Sequence, residues 1–288
     1  MGNLIHTTVQ VQVPGTGPEI FWFFDVLRMH YYVDVSSSPM PCAMANCMDC
    51  QHCSLFLSCV QQKRPVPSVQ IMITALVSWI LSSIAPHMRS PHGGIQAWIA
   101  MKLMHGFNTQ SIQEGIRRLD VKESEIFVEL GSGHGIGLQA IVNSGVIPKR
   151  VVCVEISPDF FAELKRIQQN LPPNVPLELH DADAKDMSSF LDDESVDKIF
   201  AMTVVYFLDP LSVYLLEIHR VLKPGGIVVF GCKFQNLPQD SQEFVNINED
   251  AIVEKMKAAG FKVTSTKIEV DGGADFKKNY TELKGTKY

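Results

Sequence analysis

The sequence lacks an excess of positive charge and, in its first third, almost any charge at all. Over 288 residues, 25 lysines and arginines face 31 acids, which leaves a net charge of −6. Residues 1–90 contain four basic and four acidic residues, so most of the charge belongs to the remainder of the chain. A protein that binds nucleic acid needs a basic patch or stripe. We therefore expect a small-molecule partner and no nucleic acid.

Two features of secreted proteins are also missing. The first ten residues lack a basic region leading into an apolar core, so no cleavable signal peptide is evident. Cys153 and Cys232 fall in predicted buried strands, where a thiol packs as a small hydrophobe and no disulfide framework is suggested. This pattern fits a reducing compartment, and we predict a cytoplasmic location.

The other five cysteines crowd into residues 42–59, as Cys42, Cys47, Cys50, Cys53 and Cys59. Thiolates this close together could hold zinc or an iron–sulfur cluster. A closed zinc site, however, pairs two such knuckles across a longer loop, and this chain has a single run. We predict that no metal is bound.

Residues 68–85 form an uncharged apolar run that follows Lys63 and Arg64. A membrane span needs about 20 apolar residues, and this run is slightly shorter and contains Gln70. A membrane anchor, a packed helix and a poorly structured appendage all remain open. We assign residues 1–90 to an N-terminal extension, with membrane association through its apolar run as an open alternative.

The most informative stretch of the sequence runs from Ile126 to Gly137. Five β-prone residues lead into a glycine-dense loop, and a helix-like segment follows at once. Glycine permits positive φ and lets a ligand come close to the main chain. The pattern therefore predicts a nucleotide-type ligand site where a strand ends and a helix begins. A tight connection without a ligand is the alternative.

Two acids near this loop constrain the expected ligand. Glu129 lies two residues before the first glycine, where nicotinamide enzymes usually have an apolar residue, and it favours a ligand with positive charge. Glu155 ends the next apolar run, where a carboxylate can accept two hydrogen bonds from a ribose diol. NAD and S-adenosylmethionine both contain such a ribose, so Glu155 alone does not separate them.

Strands and helices alternate through the rest of the chain, beginning with one helix or two over residues 94–119. The predicted helix caps are Ser157, Asp209 and Asn248. A predicted turn at 223–226 precedes a fifth strand at 227–232. Two closing strands are predicted at 263–270 and 280–287. This alternation predicts an α/β fold, doubly wound, with a mostly parallel seven-stranded sheet and helices on both faces.

In this order the pieces resemble the class I S-adenosylmethionine-dependent methyltransferases, which are Rossmann-like. The likeness is carried by V-E-L-G-S-G-H-G at 128–135, V-E-I-S at 154–157, D-A and S-V-D at 183–184 and 195–197, and L-K-P-G-G at 222–226. Within that family the chain is similar to the type 11 methyltransferases grouped with ubiquinone and menaquinone biosynthesis. We take residues 91–288 as the methyltransferase domain.

The resemblance implies S-adenosylmethionine as the cofactor. The implied cofactor-binding residues are Glu129, Gly131, Ser132, Gly133, Gly135, Glu155, Ile156, Asp183, Ala184 and Thr203. The glycine loop would pass under the methionine part, with Glu129 near its ammonium group, and Glu155 would hold the ribose hydroxyls. Ile156 would lie against adenine, and Asp183 would accept from the adenine amino group. Related proteins carry Asn where this chain has Thr203, so the contact at that position stays open.

The resemblance also points to weaker candidates on the acceptor side. Met104 and Asn108 are similar to an M-x-x-x-N lead-in of the family, and Tyr206 to an N-x-x-Y-F segment. A base is needed only if the acceptor must lose a proton, because the cofactor's methyl group is already activated. The candidate bases are His92, His105, Tyr206 and His219. His134 is expected to contribute its backbone only, and we assign no catalytic residue.

The predicted function is the transfer of a methyl group from S-adenosylmethionine to a small-molecule acceptor. A protein methyltransferase is one alternative, and a non-catalytic cofactor-binding module is the other. The sequence allows no inference about a partner protein or the oligomeric state.

Overall fold

The computed structural model describes Ile84 and residues 86–237, 244–270 and 278–288, which belong to one compact unit spanning residues 81–288. The cysteine run 42–59 and, apart from Ile84, the apolar run 68–85 lie outside the described residues. The domain boundary at residue 90 and the absence of a metal therefore stay predictions. Within the part of the chain described, no helix combines the length and the apolarity that crossing a membrane requires.

The main helices and strands follow one another along the chain in the predicted alternation. The helices are α1 (Gly94–Leu119), α2 (Ile136–Asn143), α3 (Pro158–Gln168), α4 (Leu211–Val221) and α5 (Glu249–Ala258). The strands are β1 (Ile126–Leu130), β2 (Arg150–Glu155), β3 (Leu177–Asp181), β4 (Val196–Met202), β5 (Leu222–Cys232), β6 (Phe261–Ile268) and β7 (Tyr280–Lys287). Short 3-10 turns lie at Val205–Phe207 and Phe234–Asn236.

The strands form one sheet in the order β3-β2-β1-β4-β5-β7-β6. Neighbours are parallel except that β7 runs antiparallel to both β5 and β6. The predicted doubly wound, mostly parallel sheet of seven strands is confirmed. Strand order reverses between β1 and β4, and sheets of this kind bind ligands in the crevice at the carboxyl ends of the strands beside such a reversal.

Helices cover both faces of the sheet because the central strands are apolar on both faces. Val128 of β1 belongs to a cluster with Leu215 of α4 and residues of α5. Phe127, the preceding residue, belongs to a second cluster with Leu138 of α2 and residues of α1 and α3. These four side chains are fully buried, and each such burial contributes about 1.5–3 kcal/mol.

Two of the three predicted helix caps are confirmed. The Oγ of Ser157 accepts a backbone N–H of the first turn of α3 at 3.4 Å, and the Oδ1 of Asn248 accepts one of α5 at 2.9 Å. Asp209 does not cap α4: Pro210 occupies the N-cap position, and no side-chain cap bond forms there.

The fifth strand begins earlier than predicted. Leu222 pairs with Val196 of β4, and the register then shifts before Ile227 pairs with Lys198. Residues 223–226 are therefore an irregularity within β5, not a turn that precedes it, because the backbone resumes the same ladder after the extra residues.

Candidate functional site

The loop between β1 and α2 has a left-handed backbone at its glycines. At Gly133 φ is +51°, and a Cβ there would make only ordinary contacts, the nearest with Gly131 O at 3.9 Å. Room is thus available, but residues with a side chain rarely adopt this backbone. The loop is fixed to the sheet because Gly131 N donates to Val154 O at 2.8 Å. A ligand can therefore approach the main chain of this loop closely.

Glu129, in the second half of β1, holds its carboxylate under the first turn of α2, and its side chain is only 4% exposed. Gly137 permits this position, since a Cβ there would collide with the carboxylate. The Oε2 atom of Glu129 is buried and has no hydrogen-bond partner. Burial raises the pKa of this carboxyl to about 8; Glu155 acts in the same direction, while the Leu138 N–H and the Ser132 hydroxyl oppose the shift.

Glu155 ends β2 and ties the glycine loop to α3. One of its carboxylate oxygens accepts from Gly133 N and the other from Ser157 N, each at 2.8 Å. Burial raises the pKa of Glu155, an effect that these N–H groups oppose and the neighbouring Asp181 reinforces. Ile156 follows directly and is 41% exposed, so an apolar side chain lies open beside the carboxylate.

The structure brings these two acids to the same loop from adjacent parallel strands. Glu129 pairs in register with Cys153, two residues before Glu155. The loop joins them, because the Ser132 hydroxyl donates to Glu129 O at 3.1 Å and Gly133 N donates to the Glu155 carboxylate. A ligand bound on this loop would therefore meet two carboxylates.

The turn after β3 carries Asp183 and Ala184. One carboxylate oxygen of Asp183 accepts the Lys185 N–H at 3.2 Å, and the other lies 3.2 Å from the Lys185 Nζ. Asp183 also lies beside Tyr214, whose pKa is raised to about 12 by burial and by this acid. The carboxylate keeps part of its surface exposed, and Ala184 is buried next to it. Asp183 can thus accept a further hydrogen bond from a ligand.

Helix α1 contacts the carboxyl end of β4 and places acceptor candidates there. Asn108 Nδ2 donates to Thr203 Oγ1 at 3.2 Å, and Met104 lies one turn earlier, half-buried. Thr203 has a φ of +57°, and its N–H donates to Gly231 O at 2.7 Å. A left-handed backbone costs a β-branched residue on the order of 1–3 kcal/mol. The strained residue is therefore held from both β5 and α1.

Tyr206, in contrast, belongs to the core. It is 2% exposed, and its hydroxyl accepts the backbone N–H of Lys233. Its ring packs among Phe207, Phe234 and Phe244, and burial raises the pKa of Tyr206 well above its ordinary value. The hydroxyl fixes the end of β5. This placement differs from the expected substrate contact and disfavours Tyr206 as a base.

The candidate histidines separate into different environments. His105 of α1 lies beside His134 of the glycine loop, with ring centroids 5.1 Å apart. Burial lowers the pKa of His134 to about 4, and His105 acts in the same direction. The His134 ring also meets Phe160 at 4.7 Å, so its side chain as well as its backbone shapes the loop. His92 is exposed, and His219 packs against the start of β6, far along α4 from the crevice.

One set of contacts was not foreseen from the sequence. The segment before α1 is fastened to α3, because Ser157 Oγ donates to Pro91 O at 2.8 Å and Gly93 N donates to Asp159 at 2.7 Å. These bonds use backbone atoms and leave no sequence signal. Gly137 was missed too, although it continues the alternate-residue glycine spacing of the loop.

Comparison with known proteins agrees with this geometry. Residues 128–230 match a family model described as a methyltransferase domain. A malonyl-[acyl-carrier protein] O-methyltransferase of Marinomonas sp. (strain MWYL1) is 25% identical over 174 residues, covering 56% of this chain and 62% of that protein. A tRNA U34 carboxymethyltransferase of Cellvibrio japonicus is 26% identical over 107 residues, covering 37% and 32%. The chain spans less than two thirds of the length of these relatives.

Two solved structures have a similar fold. A Haloferax volcanii putative methyltransferase, solved in complex with the Trm112 methyltransferase activator, superposes with a TM-score of 0.53 and 21% identity over 66% of this chain and 94% of that one. A SAM-dependent methyltransferase of Aquifex aeolicus gives a TM-score of 0.51 and 16% identity over 65% and 96%.

The fold is therefore that of the class I S-adenosylmethionine-dependent methyltransferases. Residues 128–230 match the type 11 methyltransferase domain, and this region begins with the first motif that carried the resemblance and includes the last. The family recognised from the four motifs is confirmed.

Proposed function

We propose that this protein binds S-adenosylmethionine in the crevice beside the glycine loop and transfers its methyl group to a small-molecule acceptor. The observation that carries the proposal is the buried Glu129 carboxylate, whose Oε2 lacks a partner beside a glycine loop. A buried polar atom without a partner costs about 1–3 kcal/mol. A ligand ammonium group would supply that partner, whereas a pyrophosphate would be repelled by the same acid.

Each part of the proposed ligand has a matching residue. Glu129 would hold the ammonium group, and Glu155, already rigid through two backbone bonds, would accept from the ribose hydroxyls. The exposed Ile156 offers an apolar surface for adenine, and Asp183 an acceptor for its amino group. The backbone of Gly131–Gly135 would line the methionine part.

The chemistry required of the chain is modest. When bound, S-adenosylmethionine supplies an electrophilic methyl group. The chain's own residues would orient the acceptor and exclude water, which is how an enzyme gains rate in such a displacement. Asn108 and Met104 of α1, held against Thr203, are the residues we assign to that side of the crevice.

Several observations favour a small acceptor. The acidic balance of the chain gives no support to binding of nucleic acid. The names of the relatives state different substrates, so the relatives give no support to one class of acceptor over another. A protein substrate with a basic tail would need an open acidic wall beside Tyr206, and Tyr206 is buried among aromatic rings. We keep a cytoplasmic location as part of the proposal, since the buried Cys153 and Cys232 are free thiols.

Calorimetric titration of the full chain with S-adenosylmethionine and S-adenosylhomocysteine tests the proposal. Glu155→Ala should remove the acceptor for two N–H groups and the ribose, and Gly133→Val should strain the loop, so both should lose binding. Wild-type protein that binds neither compound would contradict the proposal. Metabolite profiling for a species that gains one methyl group then identifies the acceptor. Binding without transfer to any acceptor would favour the non-catalytic module.

A further inference from the structure

Glu129 stands apart from the other acids of the described residues. Among the carboxylate oxygens of those residues, only Glu129 Oε2 is both buried and without a hydrogen-bond partner. The absence of a side chain at Gly137 makes room for the carboxylate under α2, since a Cβ there would collide with Glu129 Oε1. An ionised carboxylate in such a place must be paired or must take up a proton.

Among residues 86–237, 244–270 and 278–288, the groups that face Glu129 offer no positive charge. From β2 come the Cys153 thiol, its partner in register, and the second carboxylate, Glu155. From β4 comes Phe200, its other register partner, and from α2 the N–H of Leu138. In the described residues no lysine, arginine or histidine lies within ion-pair distance of Glu129.

We propose that the free protein keeps Glu129 protonated and that binding of the ligand's ammonium group releases this proton, one for each ligand bound. The O–H bond of the carboxyl breaks, the proton passes to the buffer, and the carboxylate forms an ion pair with an ammonium group that keeps its own three protons. This inference rests on the proposed function and adds to it a coupling between cofactor binding and proton release.

The coupling has a defined pH range. Because burial raises the pKa of Glu129 to about 8, the residue holds its proton at neutral pH in the free protein. Below that value the ligand must displace the proton, so affinity should fall about tenfold for each unit by which the pH is lowered. Above it the carboxylate is already ionised and the contribution of Glu129 to the pH dependence should disappear, while the ligand's α-amino group, whose ordinary pKa is about 8, begins to lose its own proton.

Calorimetry at pH 6.5 in phosphate and imidazole buffers counts the protons, because the observed heat varies with the ionisation enthalpy of the buffer. The probes are S-adenosylhomocysteine and 5′-methylthioadenosine, which has the same nucleoside but no amino-acid group. We expect about one more proton released with the first probe than with the second. Subtracting the two proton counts also removes any proton that Glu155 releases when it binds the ribose, because both probes contain that ribose. The ligand amine is fully protonated at this pH.

Two further variants each replace a carboxylate with the amide of the same length, one near the end of β1 and one near the start of β4. Glu129→Gln cannot ionise, so where it still binds both probes the difference of one proton should vanish. Asp197→Asn alters an acid that is already paired with Lys223 at 2.7 Å, and it should keep the wild-type difference.

Equal proton counts for the two probes in the wild type would overturn the proposal even if Glu129→Gln fails to fold, because that comparison uses the native chain alone. The same holds if Glu129→Gln folds, binds both probes and keeps the wild-type difference. Failure of the wild type to bind either probe would instead defeat the proposed function on which the coupling rests.

Discussion

Acids have different partners at the two ends of the parallel strands, which form the first edge of the sheet, where the strands begin, and the second edge, where they end. Where the strands begin, acids are matched with cations: Asp197 lies 2.7 Å from the Lys223 Nζ, and the Lys198 Nζ lies 3.0 Å from Glu125. Where β1 and β2 end, Glu129 and Glu155 are buried with backbone N–H groups as neighbours, and no cation among the described residues pairs with either. In the part of the chain that the structure describes, one sheet thus carries acids that are paired with cations and acids that are not.

This contrast separates stability from binding. A paired acid at the first edge has its partner in the fold, so it contributes a modest amount to stability and has nothing to offer a ligand. A buried acid without a cation lowers the stability of the free protein and gains most from a cationic ligand. Substitutions of the acids at the two ends should therefore have opposite consequences. Three predictions concern these acids, and a fourth concerns the strained Thr203 at the carboxyl end of β4.

The largest expected effect is on affinity. Glu129→Gln should weaken S-adenosylhomocysteine binding about 100-fold, because one partner of a desolvated charge pair is lost. The matched change Asp197→Asn should leave affinity within about twofold. Calorimetric titration of both variants measures this, and similar losses in the two would break the contrast between the edges.

The next effect is on the pH dependence of stability. Glu129 has a folded pKa of about 8, above its ordinary value of 4.5. Between these values the folded state holds a proton that the unfolded state has lost, so raising the pH favours unfolding. From pH 5.5 to 7 the ligand-free wild type should lose about 2 kcal/mol relative to Glu129→Gln. Denaturant titrations across that range give the difference, and a gap that does not vary with pH would show that Glu129 is ionised throughout.

A smaller effect is expected on stability at the paired edge. Asp197 binds Lys223 and also accepts the Ile126 N–H at 2.8 Å. Asp197→Asn should retain an acceptor for that N–H but lose the ion pair, and should lower the free energy of unfolding by about 1 kcal/mol. The loss should shrink at high salt, which screens partly exposed pairs. A loss that is unchanged in high salt would point to packing instead of charge.

The smallest effect concerns Thr203, whose backbone is left-handed. Thr203→Asn replaces a β-branched residue by one that tolerates this φ, and its amide oxygen can still accept from Asn108. We expect a gain of up to about 1 kcal/mol in the free energy of unfolding, with ligand affinity changed less than threefold. Destabilisation measured by denaturant titration would mean that the threonine hydroxyl, which also donates to Met202 O, outweighs the strain.

Much of the fold could be predicted because its signals are local. The apolar run before Gly131, the acid at Glu155 and the Ser157–Pro158 helix start are short patterns with a direct physical meaning, and the structure contains each of them. The start of β5 was misjudged because an irregularity in register depends on pairing with Val196, which lies far from Leu222 in the chain.

The site was less predictable because its decisive properties are contacts through space. Asn108 meets Thr203 across 95 residues, and no periodicity reports that bond. The aromatic run at Tyr206 could have faced the crevice or the core, and only packing against Phe244 decides in favour of the core. The state of Glu129 depends on which cations approach it, and that is a property of the whole fold.

A crystal structure of the full chain with S-adenosylhomocysteine would show whether Glu129 holds the ammonium group of the ligand. We expect the ligand ammonium nitrogen about 3 Å from the Glu129 carboxylate and the ribose hydroxyl oxygens about 2.7 Å from Glu155. A nucleoside bound elsewhere, or one bound on the glycine loop with its ammonium group turned away from Glu129, would contradict this expectation.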